Sequence, residues 1–190
     1  MLMARTQFKY NLSPVKEDFL CLAVVLGSII NAQYINKFIS YEDIAEFFGV
    51  NVPNDYVGSI KNIKYTDDFN LMGIIIKNTE INDLFQSYNI PLIEYYISIN
   101  SLSESDLEER IICEMNKGSH IFCSFGYDYL YRLGQSKRGH ISIITEINKN
   151  IVTLLDPGPI NAGNKEVSII ELYDSMHFKQ GGLSIVQSIR

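Results

Sequence analysis

A cysteine, a histidine and an aspartate stand where predicted elements begin or end, and together they could form a nucleophilic centre. Cys21 lies within the first turn of a predicted helix, where the positive end of the helix dipole favours the thiolate. His140 opens a predicted strand, and Asp156 ends the following one. These three residue types supply a nucleophile, a base that exchanges its proton and a carboxylate that orients the base.

The chain between the last two residues predicts how close they come. Residues 146–150 have the composition of a turn between two strands, which indicates a β-hairpin. If the turn centres near Asn148 or Lys149, His140 lies opposite Asp156 or diagonal to it. Facing residues in an antiparallel pair have Cβ atoms within about 5.5 Å of each other. A hydrogen bond between the carboxylate and the imidazole is therefore geometrically available.

Each of these residues also has a purely structural interpretation. Cysteine commonly packs in apolar helices, histidine can end a strand without a chemical role, and aspartate before Pro-Gly is a common turn residue. Two further cysteines, Cys113 in the middle of a predicted helix and Cys123 in the middle of a predicted strand, are expected in the core. His120 and His177 lack comparable partners and are expected to serve structure.

The composition excludes several classes of function. The chain has 190 residues, which is compatible with one domain over residues 1–190, and 46% of them are hydrophobic, enough for a sizeable core. A net charge of −6 offers no basic surface for nucleic acid or for anionic lipid. Three cysteines without close spacing and three scattered histidines indicate neither a disulfide framework nor a zinc site. No metal or organic cofactor is expected.

The longest apolar run, Phe19–Ile30, is too short to cross a bilayer, which takes about 20 residues. Glu17 and Asp18 directly precede it, unlike the basic start of a signal peptide. The sequence therefore predicts no transmembrane segment and a cytoplasmic location. Secretion without a signal peptide would leave the same pattern.

The order of predicted elements indicates an α+β fold. An extended arm over residues 1–16 precedes three helices: Phe19–Ala32 with Asp18 as N-cap, one between the cap Ser40 and Gly49, and Thr79–Tyr88. Residues 51–68 are interpreted as a loop that could carry a short strand. The second half is mostly sheet, with predicted strands Leu92–Ser98, His120–Phe125, His140–Ile147, Ile151–Asp156 and Leu183–Ile189, and predicted helices Ser103–Asn116 and Ile169–Met176. A cleft between the two halves would hold a ligand.

Several stretches resemble one family. The order Cys, His, Asp is similar to the papain-like fold, and specifically to the bacterial peptidases that process double-glycine bacteriocin leaders. The resemblance is carried by Pro14–Ala23, Ser40–Gly49, Gly139–Ile144 and Leu154–Pro157, supported by the helix Ser168–Met176 and the strand Gly181–Val186. It implies an N-terminal helical lobe whose nucleophile helix packs on a C-terminal antiparallel sheet. It also implies a cysteine peptidase with the triad Cys21, His140 and Asp156.

Two positions depart from the family pattern. The family usually has a glutamine six residues before the nucleophile, which supplies a donor to the oxyanion hole, and here that position is Val15. Loss of one such donor typically costs about 10²–10³ in rate. The backbone N–H of Cys21 remains as a donor, and Gln7 or Asn11 could substitute only if the arm folds back. The nucleophile is commonly followed by glycine, and here by Leu22.

The sequence is therefore compatible with three functions. A thioester formed on Cys21 and resolved by water makes the protein a peptidase or amide hydrolase. Resolution by an amine makes it an acyltransferase that takes acyl groups from a carrier protein, and Asn116–Leu130 is loosely similar to the papain-like acyltransferases of aminoglycoside side-chain biosynthesis. A papain-like domain without the oxyanion glutamine could instead bind peptides in its cleft. The tyrosines that could line this cleft are Tyr95, Tyr96, Tyr127, Tyr129 and Tyr131, although a mixture of core and surface positions explains them equally simply.

Overall fold

The computed structural model describes residues 3–12, 17, 19–34, 38–76, 80–134, 136, 138–158 and 162–189. The helices within them are α1 (Cys21–Gln33), α2 (Tyr41–Phe48), α3 (Glu80–Ser87), α4 (Glu104–Asn116), α5 (Tyr127–Leu130) and α6 (Ile169–Lys179). The strands are β1 (Met3–Arg5), β2 (Val50–Val52), β3 (Ile63–Tyr65), β4 (Leu92–Ser98), β5 (His120–Gly126), β6 (Gly139–Asn148), β7 (Ile151–Asp156), β8 (Gly163–Ser168) and β9 (Gly182–Ser188).

An antiparallel sheet forms the centre of the described part of the chain. Its strands follow the order β4-β9-β5-β6-β7-β8, and β1 also pairs with β6. One edge of strand β6 pairs with two different strands, since its residues 139–143 pair with β5 and its residues 146–148 pair with β1. The short strands β2 and β3 form a separate parallel pair. The long β6 therefore links the site end of the sheet to the N-terminal arm.

A β-bulge between Ile144 and Glu146 interrupts the pairing of β6 with β7. In a regular strand, side chains three residues apart lie on opposite faces. Here Ile144 and Ile147 belong to the same apolar cluster, because the bulge inserts one extra residue between them. The bulge therefore changes the register once, between the turn and the end of the hairpin that carries His140.

Helices cover both faces of the sheet. On one face, α1, α2 and α3 pack against apolar residues of the sheet such as Phe122 and Ile143. On the other, α4 and α6 pack against Cys123, Phe125 and Leu154. Every residue of α1 from Leu22 to Ile30 is buried. A helix that is apolar on all sides is stable only in such a position, which explains why this one packs against β6 in the interior.

Most predicted elements of the α+β layout are confirmed, often to within two residues. Ser40 and Ser103 cap α2 and α4 through capping boxes with Asp43 and Asp106. Helix α1 begins at Cys21, two residues later than predicted, and its predicted cap Asp18 lies outside the described residues. Residues 51–68 contain the short strand β3, as the interpretation of this segment allowed. The additions are β1 in residues 3–5 of the predicted arm, the short α5 and the polar β8.

The N-terminal arm is fixed to the sheet through His120. The Phe8 ring stacks on the His120 imidazole at a centroid distance of 3.8 Å. Tyr10 Oη lies 3.0 Å from His120 Nδ1, and Gln33 Oε1 lies 3.1 Å from Nε2. Burial lowers the pKa of His120 to about 4, so the ring is neutral at pH 7. The structural role predicted for His120 is confirmed.

No helix among the described residues is both long enough and apolar enough to span a bilayer.

Candidate active site

Cys21 is the first residue of α1. Leu20 at the N-cap provides no side-chain hydrogen bond, and the first helical bond runs from the Val24 N–H to the Leu20 carbonyl. The N–H groups of Cys21, Leu22 and Ala23 therefore have no acceptor within the helix, and they carry its positive dipole end. Cys21 is itself partly exposed, whereas the residues after it are buried. The thiol thus lies at a helix terminus open to solvent, where Leu20 provides no side-chain cap.

His140 and Asp156 form a buried pair on the β6–β7 hairpin. Ile143 pairs with Leu155 and Ile144 with Leu154, so the same register continued by one residue puts Asp156 opposite Ser142 and diagonal to His140. His140 Nε2 lies 2.9 Å from Asp156 Oδ1. His140 also hydrogen-bonds to Cys21, which leaves its second ring nitrogen, Nδ1, for the sulfur. The three side chains therefore form one continuous hydrogen-bonded series.

Both carboxylate oxygens of Asp156 accept hydrogen bonds. Besides His140, Oδ1 accepts the backbone N–H of Gly158 at 2.9 Å, and Oδ2 accepts the hydroxyl of Tyr131 at 2.9 Å. The side chain is fully buried. A carboxylate without solvent is stable only when its lone pairs are satisfied in this way. These three donors hold the carboxylate in one orientation toward the imidazole.

Aromatic rings surround the His140 imidazole. Phe125, directly opposite on β5, contacts it edge-on at 5.6 Å between centroids, and Tyr127 does so at 4.8 Å. On the far side of the Tyr127 ring lies the Arg138 guanidinium, 4.5 Å from the ring centroid. This packing restricts the imidazole to one rotamer and excludes water from its hydrogen bond to Asp156.

The environment favours the ionised form of the pair. Burial by itself disfavours a charged His140, but the hydrogen bonds and charges of Asp156 and Cys21 outweigh it and raise the His140 pKa to about 9. Burial likewise opposes ionisation of Asp156, yet the hydrogen bond and charge of His140 and the donors of Gly158 and Tyr131 hold its pKa below the usual value. Burial and the neighbouring carboxylate raise the pKa of Tyr131, which stays a neutral donor.

A pocket of about 240 Å³ opens in front of the thiol and the imidazole. Its walls come from α1, from residues 70–75, from the start of β6 and from the end of α6. They comprise Phe19, Cys21, Leu22, Asn70, Met72, Gly73, Ile74, Ile75, Ser124, Gly139, His140, Ile141, Lys179, Gln180 and Gly181. A carbonyl compound in this pocket would meet the thiol, the imidazole and the N-terminal end of α1 together.

Two solved structures are similar to this chain over its whole length. One, a protein from Bacillus anthracis described as a C39-like peptidase, is 13% identical, with 99% of each chain covered and a TM-score of 0.63. The other is a double-glycine-motif protease from an AMS/PCAT transporter in complex with the leader peptide; it is 12% identical, with 99% of this chain and 100% of that chain covered and a TM-score of 0.53. The chain has the C39-like peptidase fold. No family model and no curated protein matches its sequence.

The C39-like fold confirms the resemblance found in the sequence and the α+β architecture expected from it. At these identities the comparison concerns the fold alone. In this chain the C39-like fold brings Cys21, His140 and Asp156 together at one end of the sheet, although residues 21 and 140 are far apart in sequence.

The structure does not place a glutamine or asparagine of the N-terminal arm at the oxyanion position. Val15 lies outside the described residues. Gln7 lies with its side-chain amide beside Gly118, at the end of β5 remote from the pocket. Asn11 accepts a hydrogen bond through its carbonyl from Ser28, seven residues along α1 from Cys21. The arm therefore does not bring Gln7 or Asn11 to the thiol, whereas the N–H groups at the start of α1 lie beside it.

The remaining cysteines and tyrosines divide between the interior and the surface. Cys123 is buried as predicted, but the prediction for Cys113 was wrong: it is exposed, because α4 turns Leu107, Ile111 and Met115 toward the core. The five tyrosines do not line one cleft, and the alternative interpretation, a mixture of core and surface residues, is confirmed. Tyr127 and Tyr131 contact the triad, and Tyr96 lines a neighbouring cavity. Tyr95 hydrogen-bonds to Glu114, and Tyr129 stacks on Phe178.

Sequence reasoning did not assign Tyr131 and Gly158 to the site. Gly158 could have been found, since an aspartate two residues before an N–H commonly accepts from it in an Asx turn. Nothing local in the sequence connects Tyr131 to Asp156, because the contact joins the end of α5 to the end of β7.

Replacing Tyr131 with phenylalanine is expected to lower the free energy of unfolding by about 1–2 kcal/mol, because the ionised Asp156 loses a buried donor. Urea denaturation measures the change. Tyr129→Phe is the matched control, since Tyr129 is exposed and stacks on Phe178. Equal losses in the two variants would contradict the role given to the Tyr131 hydroxyl.

Proposed function

We propose that this protein is a cysteine-nucleophile hydrolase of peptide or amide bonds that works through a thioester on Cys21. The observation that supports it most is the series of hydrogen bonds from Asp156 through His140 to Cys21, which ends at a helix terminus in an open pocket. His140 and Cys21 are the proposed catalytic residues, and Asp156 is the positioning residue for the imidazole.

The proposed cycle starts from a thiolate and an imidazolium. With its pKa near 9, His140 carries the proton at neutral pH and pairs with the thiolate of Cys21. The thiolate attacks the carbonyl carbon, and His140 donates its proton to the leaving amine as the carbon–nitrogen bond breaks. Water then attacks the thioester, with His140 accepting its proton, and the carbon–sulfur bond breaks to release the acid and return the Cys21 thiolate beside the protonated His140. Asp156 keeps the imidazole in the required tautomer throughout.

The tetrahedral intermediate carries a negative oxygen that needs donors. The N–H of Cys21 and the other free N–H groups at the start of α1 lie at the positive end of the helix. Val15 adds no side-chain donor where the family usually has glutamine. We therefore expect turnover to be slow by about 10²–10³ relative to an enzyme with a complete oxyanion hole.

A peptide is the proposed substrate class. The similar double-glycine-motif protease was solved with a leader peptide. The pocket here mixes apolar residues with polar and charged ones, among them Asn70, Ser124, Lys179 and Gln180. An amide carbonyl flanked by a peptide chain fits such an open groove better than a small buried ligand does.

The first test is alkylation of Cys21 by iodoacetamide at pH 6.5, measured by mass spectrometry in a Cys113→Ser background. This background removes the exposed cysteine, while Cys123 is fully buried and its pKa is raised by burial. We expect alkylation to slow by about tenfold or more in His140→Ala, because the thiolate loses its cationic partner. Equal rates with and without His140 would contradict the proposal and favour a peptide-binding module.

A second assay separates hydrolysis from acyl transfer, since both begin with the same thioester. The protein is mixed with peptide substrates and with acyl-carrier-protein thioesters, each with and without an added primary amine. Release of free acid from peptides supports the hydrolase. Amide products formed only from carrier-bound acyl groups would identify an acyltransferase instead.

A further inference from the structure

A second cavity adjoins the candidate active site. Its volume is about 250 Å³, and it is lined by Ile76, Ile81, Glu94, Tyr96, Phe122, Ser124, Ile141 and Ser184. Two of these residues, Ser124 and Ile141, also line the pocket in front of Cys21 and His140. We call this cavity the Glu94 pocket. A substrate group that enters it therefore belongs to a residue close to the reacting carbonyl.

The polar residues of the Glu94 pocket lie on one face of the sheet. Glu94 and Tyr96 are two residues apart on β4 and so face the same side, and Ser184 on β9 is the pairing partner of Tyr96. Phe122 on β5 pairs with Ser184, and Ser124 follows it on the same side. Elsewhere this face packs against the apolar helix α1. The polar positions thus form a path from Glu94 toward the thiol.

Tyr96 joins the two pockets. Its phenol ring lies against Gly182, where a Cβ atom would come within 2.6 Å of the ring, and its hydroxyl hydrogen-bonds to Ser124. Ser124 Oγ also accepts the N–H of Gly182 at 3.0 Å. Glycine at position 182 is what allows the ring to lie flat across β9. The hydroxyls of Tyr96 and Ser124 consequently lie between the Glu94 carboxylate and the active-site pocket.

The Glu94 side chain is held in place but has no cation beside it among the described residues. Glu94 is 6% exposed, and its backbone exchanges two hydrogen bonds with the Asn82 side chain, at 2.7 and 2.9 Å. Its carboxylate hydrogen-bonds to Ser184, and burial raises its pKa. No described lysine, arginine or histidine lies within ion-pair distance of it. A buried carboxylate is stabilised when a cation enters, since burying it unpaired is costly.

The remaining walls suit the stem of a basic side chain. Ile76, Ile81, Phe122 and Ile141 provide apolar contacts for a chain of methylene groups, and the carboxylate with the Ser184 and Tyr96 hydroxyls provides acceptors at its end. We propose that the Glu94 pocket is a specificity subsite for a lysine or arginine side chain that lies one or two residues from the scissile bond. This proposal rests on the proposed hydrolase function. The net charge of −6 also favours the approach of a cationic peptide.

The test uses peptides that end in an acyloxymethyl ketone, which alkylates a reactive cysteine without requiring turnover. One peptide of each pair carries lysine, and its partner carries norleucine, at the first or second residue before the ketone. Of the two lysine peptides, the one that reacts faster with the wild-type protein is expected to alkylate Cys21 at least about tenfold faster than its norleucine partner. Glu94→Gln is expected to bring this ratio close to one. Glu109→Gln is the matched control, because Glu109 is exposed on α4, and this variant is expected to keep the lysine preference of the wild type.

Three results would be informative. A lysine preference that is lost in Glu94→Gln but kept in Glu109→Gln supports the subsite. Equal rates for lysine and norleucine peptides, or a preference that survives Glu94→Gln, would overturn it.

Simple iodoacetamide, which has no side chain to enter the pocket, distinguishes failure of the subsite from failure of the proposed function. If Cys21 reacts with iodoacetamide in a His140-dependent manner in both wild type and Glu94→Gln, the nucleophile is intact and the protein is folded. A lack of His140 dependence would instead refute the hydrolase proposal itself.

Discussion

Replacing His140 with alanine is expected to lower kcat/KM for peptide hydrolysis by about 10³-fold or more, as in other nucleophile–base pairs. The imidazole contacts both the thiol and Asp156, so its loss removes the proton carrier and leaves the buried carboxylate with one partner fewer. Steady-state hydrolysis of any peptide found in the substrate screen measures the effect. His177→Gln is the matched control, because His177 packs edge-on against Tyr173 on α6.

The combination of variants makes this prediction sharper. If Cys21 and His140 act as one unit, the double variant Cys21→Ala/His140→Ala is expected to be no slower than the slower single variant. Multiplied losses in the double variant would show that the two residues act independently. In that case the hydrogen-bonded series described here would be structural.

Raising the pH from about 6.5 to about 9 is expected to lower the free energy of unfolding by a few kcal/mol through His140. The pKa of His140 is raised to about 9 in the folded protein, against about 6.5 in an unfolded chain. Below pH 6.5 both states hold the proton, so the full stabilisation is present. Between the two values only the folded state holds it, so stability falls as the pH rises.

Urea denaturation at several pH values, for the wild type and for His140→Gln, measures this contribution as a difference between two curves. The wild type is expected to lose its advantage between pH 6.5 and 9. Ionisable groups that do not contact His140 cancel between the two proteins, and a Cys21→Ala background removes the contribution of the thiol that does contact it. Asp156 affects stability at acidic pH. Because its pKa is lowered in the folded protein, its contribution to the free energy of unfolding disappears as the pH falls below about 4. A difference between the two proteins that stays constant across pH 6.5–9 would refute the ionised His140.

Elements governed by local interactions could be predicted from the sequence. The capping boxes at Ser40 and Ser103 involve residues three apart, so the starts of α2 and α4 are encoded within a few residues. The proximity of His140 and Asp156 could be predicted from the hairpin, but the diagonal itself also depends on the bulge between Ile144 and Glu146, which the turn residues do not encode. The candidate nucleophile, base and orienter were therefore accessible without a structure.

Features set by the tertiary environment could not be predicted in this way. Strand β8 is polar, and it forms because β7 offers it a free edge. Cys113 is exposed because the sheet contacts a different face of α4. The Glu94 pocket joins strands that are remote in sequence, so neither its carboxylate nor its apolar walls are recognisable as one site until β4, β9 and β5 pair. Each of these depends on contacts that propensity and periodicity do not describe.

The bulge in β6 bears on how relatives of this chain can be recognised. Because the turn, the bulge and the pairing beyond it together set the His140–Asp156 diagonal, the sixteen-position interval between the two residues is a geometric requirement. A single insertion or deletion on either strand would turn one of the two side chains to the opposite face of the sheet. The side chains between them can change more readily, as long as the buried apolar positions stay apolar. Distant homologues should therefore share the length of this segment, with its terminal histidine and aspartate, long after the residues between them have diverged.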